Sequence, residues 1–392
     1  MTEVSKRRLL AACSTIAVGS AGCVDFDSRS DSQIDTVSAT GDGLEKCSSV
    51  TGDWLTFQGD HRNTGHSSTV GPIRSDPTRT TIAADVYTRH TDFVPLVTAT
   101  GIVTVTRNGL ALVDPASGER LWEYTPNGPI RHTPTIGCGA VYVQSLHKKH
   151  CIDLASGELY WRQNTGSAGR TGSFVMDSER LFTWPGIRVY DLTTGTRRQR
   201  RFVNSGVQGL ALDENALYAM IAANDQGRLE AFDPATGKRQ WRNDTVGESY
   251  RPPVVAHGHA YSASTNGIVT AVDITSGETA WQHDLALDEL SSMVGVYEDE
   301  TVYVPTGTVK KVVALNAETG KPRWQTPVAG GAFYAPIVGD ELLYVPTGGT
   351  LAAIDRRTGV KQWEIDTVMN AELAASSEGL YAVNGSDLVR FS

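Results

Sequence analysis

Seven acid or amide side chains recur along the chain: Asp114, Asp153, Asp191, Asp233, Asp273, Asn316 and Asp355, at intervals of 39, 38, 42, 40, 43 and 39 residues. Carboxylates are what a calcium ion takes as ligands. A cation needs them gathered at one point, however, and each of these sits in a repeated phrase that spreads them apart. Four residues after each comes a glycine: Gly118, Gly157, Gly195, Gly237, Gly277, Gly320 and Gly359. The chemistry that fits this spacing is a turn. The carboxylate accepts backbone N–H groups two or three residues on, and the glycine takes the left-handed conformation that closes the reversal.

Another set of residues has the chemistry of a binding site. Asp92, Arg131, His132, Arg170, Gln208, Tyr250, Arg251, Tyr334 and Glu372 each stand just before a short apolar run. If those runs lie side by side around a centre, three guanidiniums, two phenols and two carboxylates meet at one opening. Guanidiniums grip carboxylates and phosphates in bidentate fashion, so the opening suits a small anionic ligand, a glycan or an acidic partner surface. A water-filled polar funnel is the alternative. The histidine pairs in "HGH" (257–259) and "HKKH" (147–150) read as exposed hairpins, and two histidines without a third ligand make a poor zinc site. No metal site and no catalytic residue is expected. Nucleophile elbow, P-loop, HExxH, CxxC and CxxCH patterns are absent from the sequence.

The elements that place these residues are legible in the repeat. Four residues after the glycine stands Trp122, Trp161, Gln199, Trp241, Trp281, Trp324 or Trp363. Between successive phrases run four short β-type segments. The second turn of several units is Asn-Gly or Gly-Gly (Asn108-Gly109, Asn266-Gly267, Gly348-Gly349), as a tight hairpin requires. A four-stranded antiparallel unit every forty residues is the signature of a β-propeller blade. The fold expected is all-β. Seven units carry the phrase. Residues 370–391 supply three further strands and lack a fourth, while "TRTTIAADVYTR" (78–89) is a strand without a blade. An N-terminal strand that completes the C-terminal blade gives eight blades and no open edge around the ring; seven is the alternative. In each blade the outer-strand indole is expected to pack on the neighbouring blade. Blade three departs: it has Gln199, in an arginine-rich run (Arg197, Arg198, Arg200, Arg201) that reads as a solubilising edge or an anionic docking patch.

The first 22 residues read as an export signal. "SKRR" precedes an apolar stretch from Leu9 to about Ala21 that is too short to span a bilayer. Arg7-Arg8 with Leu9-Leu10 fits a twin-arginine route. "SAGC" makes Cys23 the site of lipidation, which anchors the protein to the outer face of the cytoplasmic membrane. Residues 23–50, rich in Asp and Ser, read as a disordered polar stalk, and the propeller as 51–392. Cys47, Cys138 and Cys151 then remain. Their odd number permits one disulfide and leaves the pairing open. The net charge of -9 argues against nucleic acid as a partner. The 26 Arg to 9 Lys suit a salt-loving organism or a GC-rich genome.

These residues and spacings resemble the pyrroloquinoline-quinone-like β-propeller repeat family. "DWLTFQGDHRNTG" (53–65) is similar to the W-x-x-F-x-G-D-x-x-N-T-G opening of its secreted members. The family's dehydrogenases are longer and carry a vicinal cysteine pair, which this chain lacks, so the resemblance is to the non-catalytic, BamB-like lipoprotein branch. It implies a monomeric scaffold that binds envelope proteins, without a cofactor. A dehydrogenase holding pyrroloquinoline quinone over Ca²⁺ is the alternative, and a glycan- or anion-binding module a third.

Overall fold

Strand after strand in this chain reads as four to six apolar or β-branched residues between turn residues, and the computed structural model forms a sheet from every such group of four. It describes Ile34–Asp35 and residues 52–392 except 85, 87–92, 131, 165–173, 185, 200–201, 204–205, 224–225, 288–294, 298–300, 308, 332–333 and 368–371. Among the described residues there is no helix. Eight antiparallel sheets result. In blade 1 the order from the centre outwards is Leu96–Thr98, Gly101–Val105, Leu110–Val113 and Arg120–Tyr124. The next six blades repeat it. Blade 8 is built from Ala374–Ser376, Gly379–Asn384 and Asp387–Phe391, and its outer strand is Arg79–Ala83, paired Arg79 to Phe391. The ring is thus an eight-bladed β-propeller, closed by Arg79–Ala83 completing the last blade. Innermost strands touch between blades 3 and 4, 4 and 5, 5 and 6, 6 and 7, and 8 and 1.

All innermost strands run in one direction. One face therefore carries the hairpins between second and third strands together with the connections between blades; we call it the loop face. The opposite, turn face carries the acid-glycine turns. There Asp114 Oδ1 accepts the N–H groups of Ala116 and Ser117, and the other phrases repeat this with Asp153, Asp191, Asp233, Asp273 and Asp355. The glycine that follows has φ near +70° in all seven copies.

The glycine is bare for a second reason. The tryptophan of each blade lies on the turn of the next. A Cβ built on Gly157 would sit 2.7 Å from the indole of Trp122, and on Gly277 2.6 Å from that of Trp241. Each indole also donates to the carbonyl just after the acid of the next blade. Trp122 reaches Leu154 at 2.9 Å, Trp161 Leu192 at 2.7 Å, Trp241 Ile274 at 2.8 Å, Trp281 Ala317 at 2.7 Å and Trp324 Arg356 at 3.0 Å. Trp363, whose neighbour is the composite blade 8, donates to Ile73 at 2.6 Å. Beneath five of these indoles lies a tyrosine of the second strand, tilted 39° to 50°, as in the pair Tyr142 and Trp161. The third-strand residue between the two is small: alanine in blades 4 to 7 and Cys151 in blade 2. That placing explains a free, buried thiol. Cys138 is disulfide-bonded; its partner lies outside the described residues.

Of the stretch read as a stalk, the structure describes Ile34–Asp35. They form a two-residue strand on the outer edge of blade 2, with Ile34 opposite Gln163 and Asp35 opposite Arg162. The leader, Cys23 and Cys47 lie outside the described residues.

Candidate functional site

The site is the centre of the ring. Each innermost strand turns one edge toward the axis, so its N–H and C=O groups need partners other than a fifth strand. Residues 53–67 supply them. Trp54 bridges to Val97 of blade 1, and Leu55 O accepts the N–H of Ile136 in blade 2. His61 O accepts Leu212 N–H in blade 4, Arg62 O accepts Val255 N–H in blade 5, and Gly65 O accepts Val338 N–H in blade 7. The Asn63 side-chain amide donates both to Leu210 O (2.9 Å) and to Pro253 O (3.0 Å), joining blades 4 and 5. Four residues in this stretch have positive φ (Gln58, Gly59, Asn63 and Gly65), and Asp60 accepts the N–H groups of Arg62 and Thr64, which coils the segment tightly enough to fit. Trp54, Thr56, Gln58, Asn63, Thr64 and Ser67 are buried. The motif read as an entry signature is therefore a plug. It contacts the bodies of the innermost strands, beyond their N-terminal ends on the loop face.

The expected mouth residues divide into three groups. Asp92, Arg131 and Arg170 lie outside the described residues. His132 and Glu372 are in the wall rather than at the opening, which corrects the expectation that both face a ligand. His132 is buried; its Nδ1–H donates to Thr133 O (3.0 Å) and its Nε2 accepts Gln144 N–H (3.2 Å). Burial pulls its pKa down to about 4, and the nearby charge of Lys149 adds to the effect. Glu372 is buried and accepts the N–H of Ala335 at 2.9 Å, bracing the approach to blade 7 against that to blade 8. Gln208, Tyr250, Arg251 and Tyr334 form the third group. Tyr250 is 59% exposed and its hydroxyl donates to Glu248 at 2.8 Å. Arg251 stands beside it, part-buried. Gly209 lies so close to Pro252 that a Cβ there would come within 2.5 Å of it. Gln208 and Arg251 are the residues before these two, so both flank the seam of blades 4 and 5 that Asn63 bridges.

The weaker motifs resolve in physical terms. "HKKH" is not an exposed hairpin throughout: Lys149 and His150 are buried. His150 joins blades 1 and 2, bonded at Nδ1 to Tyr124 OH (2.8 Å) and at Nε2 to Ser145 Oγ (2.9 Å). Burial, with the charges of Arg162 and Lys148, pulls its pKa down to about 3. "HGH" does sit on a turn. Asn243, which opens the glycosylation-type triplet Asn243-Asp244-Thr245, is committed to blade 5, donating to Gly277 O and Thr279 Oγ1. In the arginine-rich edge, Arg198 is paired with Asp191 and Glu179, so part of that charge is spent inside blade 3. Among the described residues no three His, Cys, Asp or Glu side chains come together as metal ligands, and no helix is long and apolar enough to cross a membrane.

The chain matches the family described as "Outer membrane protein assembly factor BamB" over residues 76–183, 150–291 and 265–391. Among curated relatives, the outer membrane protein assembly factor BamB of Shewanella oneidensis is 28% identical over 270 residues, 65% of this chain and 61% of that protein. The chain spans between 29% and 61% of the length of the first three such relatives. Among solved structures, BamB from Moraxella catarrhalis superposes with a TM-score of 0.63 at 20% identity, covering 81% of this chain and 98% of that one. Quinohemoprotein alcohol dehydrogenase from Comamonas testosteroni gives 0.67 at 15% identity, covering 86% and 80%. Identities this low establish a shared fold and nothing finer.

Proposed function

Since the chain belongs to the BamB family of pyrroloquinoline-quinone-like repeat propellers, matched from residue 76 to 391, we propose that it is a non-catalytic, protein-binding scaffold of the cell envelope. The family match carries this reading. The architecture supports it: the plug ties five blades together at the centre, and Tyr250, Arg251 and Tyr334 stand on the loop face. An exposed phenol beside a part-buried guanidinium is a combination enriched where proteins bind proteins. Relatives in the family are named assembly factors, and in this protein the partner would be another exported or membrane-bound protein. We further propose export through the signal in residues 1–22 and a lipid on Cys23 that holds the protein at the outer face of the cytoplasmic membrane.

The test is a photo-cross-linking side chain at position 250, used in intact cells, with position 121 on the outer strand of blade 1 as control. One exported or membrane protein captured from position 250 alone supports the reading. Equal capture from both positions, or none, overturns it. Anchoring has its own test: Cys23→Ser should release the protein into the medium.

The quinone-dependent reading rests on fold likeness. Pyrroloquinoline quinone over Ca²⁺ needs carboxylate and amide ligands converging under the ring. Among the described residues no three His, Cys, Asp or Glu side chains gather, and the six repeat aspartates and Asn316 are dispersed around the rim, so the described residues lend the quinone no support. Added quinone and Ca²⁺ should leave the quinone spectrum unchanged; a shifted spectrum with dye reduction by an alcohol would restore the dehydrogenase reading.

A further inference from the structure

Two of the eight seams between blades lack the indole. In the row where blade 7 carries Tyr344, Ala353 and Trp363 on adjacent strands, blade 3 has Phe182, Val189 and Gln199, and blade 8 has Tyr381, Arg390 and Thr80. The blades that should receive these missing indoles are blades 4 and 1. In those two alone, the residue after the acid is proline: Asp233-Pro234 and Asp114-Pro115. Elsewhere it is Leu154, Leu192, Ile274, Ala317 or Arg356, whose carbonyl takes the indole. Four of these also donate their own N–H to the first hairpin of their blade: Leu154 to Gly139 O, Leu192 to Glu179 O, Ile274 to Gly258 O and Arg356 to Glu341 O. Proline cannot make that bond. Among the described residues no hydrogen bond reaches the carbonyl of Pro115 or Pro234.

The two seams are closed by different means. Between blades 8 and 1 the backbone itself fills the place of the ring: a Cβ on Gly118 would collide with the Ile82 carbonyl. The chain also passes from the outer strand of blade 8 into blade 1. At depth both seams share a continuous apolar cluster. Between blades 3 and 4 the rim carries Phe202, set edge-on to Phe182 and Phe232 at 6.3 and 5.8 Å, with Trp184 and Val203 packed on the same cluster. The plug crosses from one side of this division to the other. Residues 53–56 bond to blades 1 and 2, and residues 61–67 to blades 4, 5 and 7.

We propose that the ring consists of two indole-locked arcs, blades 1–3 and blades 4–8, and that it opens at the rim of the seam between blades 3 and 4, with residues 53–67 as the pin that holds the arcs together. Opening there uncovers Phe182, Phe202 and Phe232, an aromatic trio found at no other seam among the described residues.

The experiment is hydrogen–deuterium exchange on the full-length protein, comparing the strands and turn at seam 3/4 with their counterparts at seam 5/6, which Trp281 locks. Loss of one buried hydrogen bond and a packed ring should speed exchange at seam 3/4 about tenfold. The double change Gln199→Trp with Pro234→Leu, which copies the other seams, should bring it back to the rate at 5/6. Asn63→Ala, which removes two of the bonds that hold the pin to the arc of blades 4–8, should accelerate seam 3/4 and leave 5/6 unchanged. If the graft does not fold, Trp281→Gln with Ala317→Pro transfers the defect instead and should make 5/6 exchange like 3/4. Equal protection of both seams in the unaltered protein, or equal acceleration of both by Asn63→Ala, overturns the proposal.

Discussion

Trp161 donates its indole N–H to Leu192 O at 2.7 Å while its ring lies over Gly195, where a Cβ would sit only 2.6 Å away. One residue of blade 2 thus uses both the hydrogen-bonding capacity and the missing side chain of a turn in blade 3. The turn has to be left-handed at Gly195 (φ +68°) and bare there as well.

Gly195→Ala is therefore expected to cost more than a left-handed alanine alone, which is about 1 kcal/mol. The indole must also move, and the total should reach roughly 2–4 kcal/mol. Gly258 is the comparison: its φ is +72° and nothing lies within 4 Å of a Cβ there, so Gly258→Ala should show the conformational cost only. Urea midpoints of the two variants give the difference.

Acid should weaken the fold in two stages. His132 and His150 have folded pKa values of about 4 and about 3 against 6.5 when unfolded. Protons then bind the unfolded chain first. Stability is complete above pH 6.5 and falls as pH drops toward 4, by up to roughly 3 kcal/mol per histidine. The turn carboxylates act later. Backbone N–H groups of Ser117, Thr236 and Ser276 hold Asp114, Asp233 and Asp273 below the ordinary value of 3.8. In Asp153, Asp191 and Asp355 burial pushes the carboxyl up, and the hydrogen bonds overcome it. Their contribution is present above pH 3.8 and is lost below it. Melting temperature against pH should fall gently from 6.5 and steeply under 3.8; His132→Asn should reduce the first part, leaving the share of His150, and not alter the second.

The thiols should behave oppositely. Cys151 is buried beneath Trp161, and burial raises its pKa well above the thiol range. It should resist maleimide in the native protein and react fully on denaturation. Cys138, being disulfide-bonded, should react only after reduction. Because the leader holds Cys13 and Cys23 is the expected lipid site, peptide mapping without reductant should recover Cys138 joined to Cys47.

Arg251→Glu should abolish partner capture at the loop face and leave the melting temperature within about 1 °C, since a part-exposed surface substitution costs little. Arg198→Ala should leave capture intact, because that side chain is engaged with Asp191 and Glu179. Loss of capture with the second variant, and not the first, would move the interface to blade 3.

How much of this was legible beforehand depended on whether the signal lay in side chains at fixed spacing. The acid, glycine and tryptophan of each phrase repeat, so eight blades and the composite last one could be counted from letters. The acceptors of the indoles are carbonyls, which every residue has, and they leave no mark. The mark that did exist, Pro115 and Pro234 at the seams without tryptophan, gains meaning only once blades are known to dock in ring order. The six tyrosines of the second strands (Tyr142, Tyr218, Tyr261, Tyr303, Tyr344 and Tyr381) were a further signal in plain view. Mouth residues were harder. Position before a strand does not tell inward from lateral, so His132 and Glu372, which point into the wall, looked the same as Arg251. The plug was hidden for the opposite reason: residues 53–67 have no repeat, and only the ring's geometry shows that they touch five blades.

Closure of blade 8 sets an order in time. Arg79–Ala83 is made before the strands of blades 1 to 7, and its partner Asp387–Phe391 after them. Until that partner is made the early strand waits with an unpaired edge, open to other strands and to proteases.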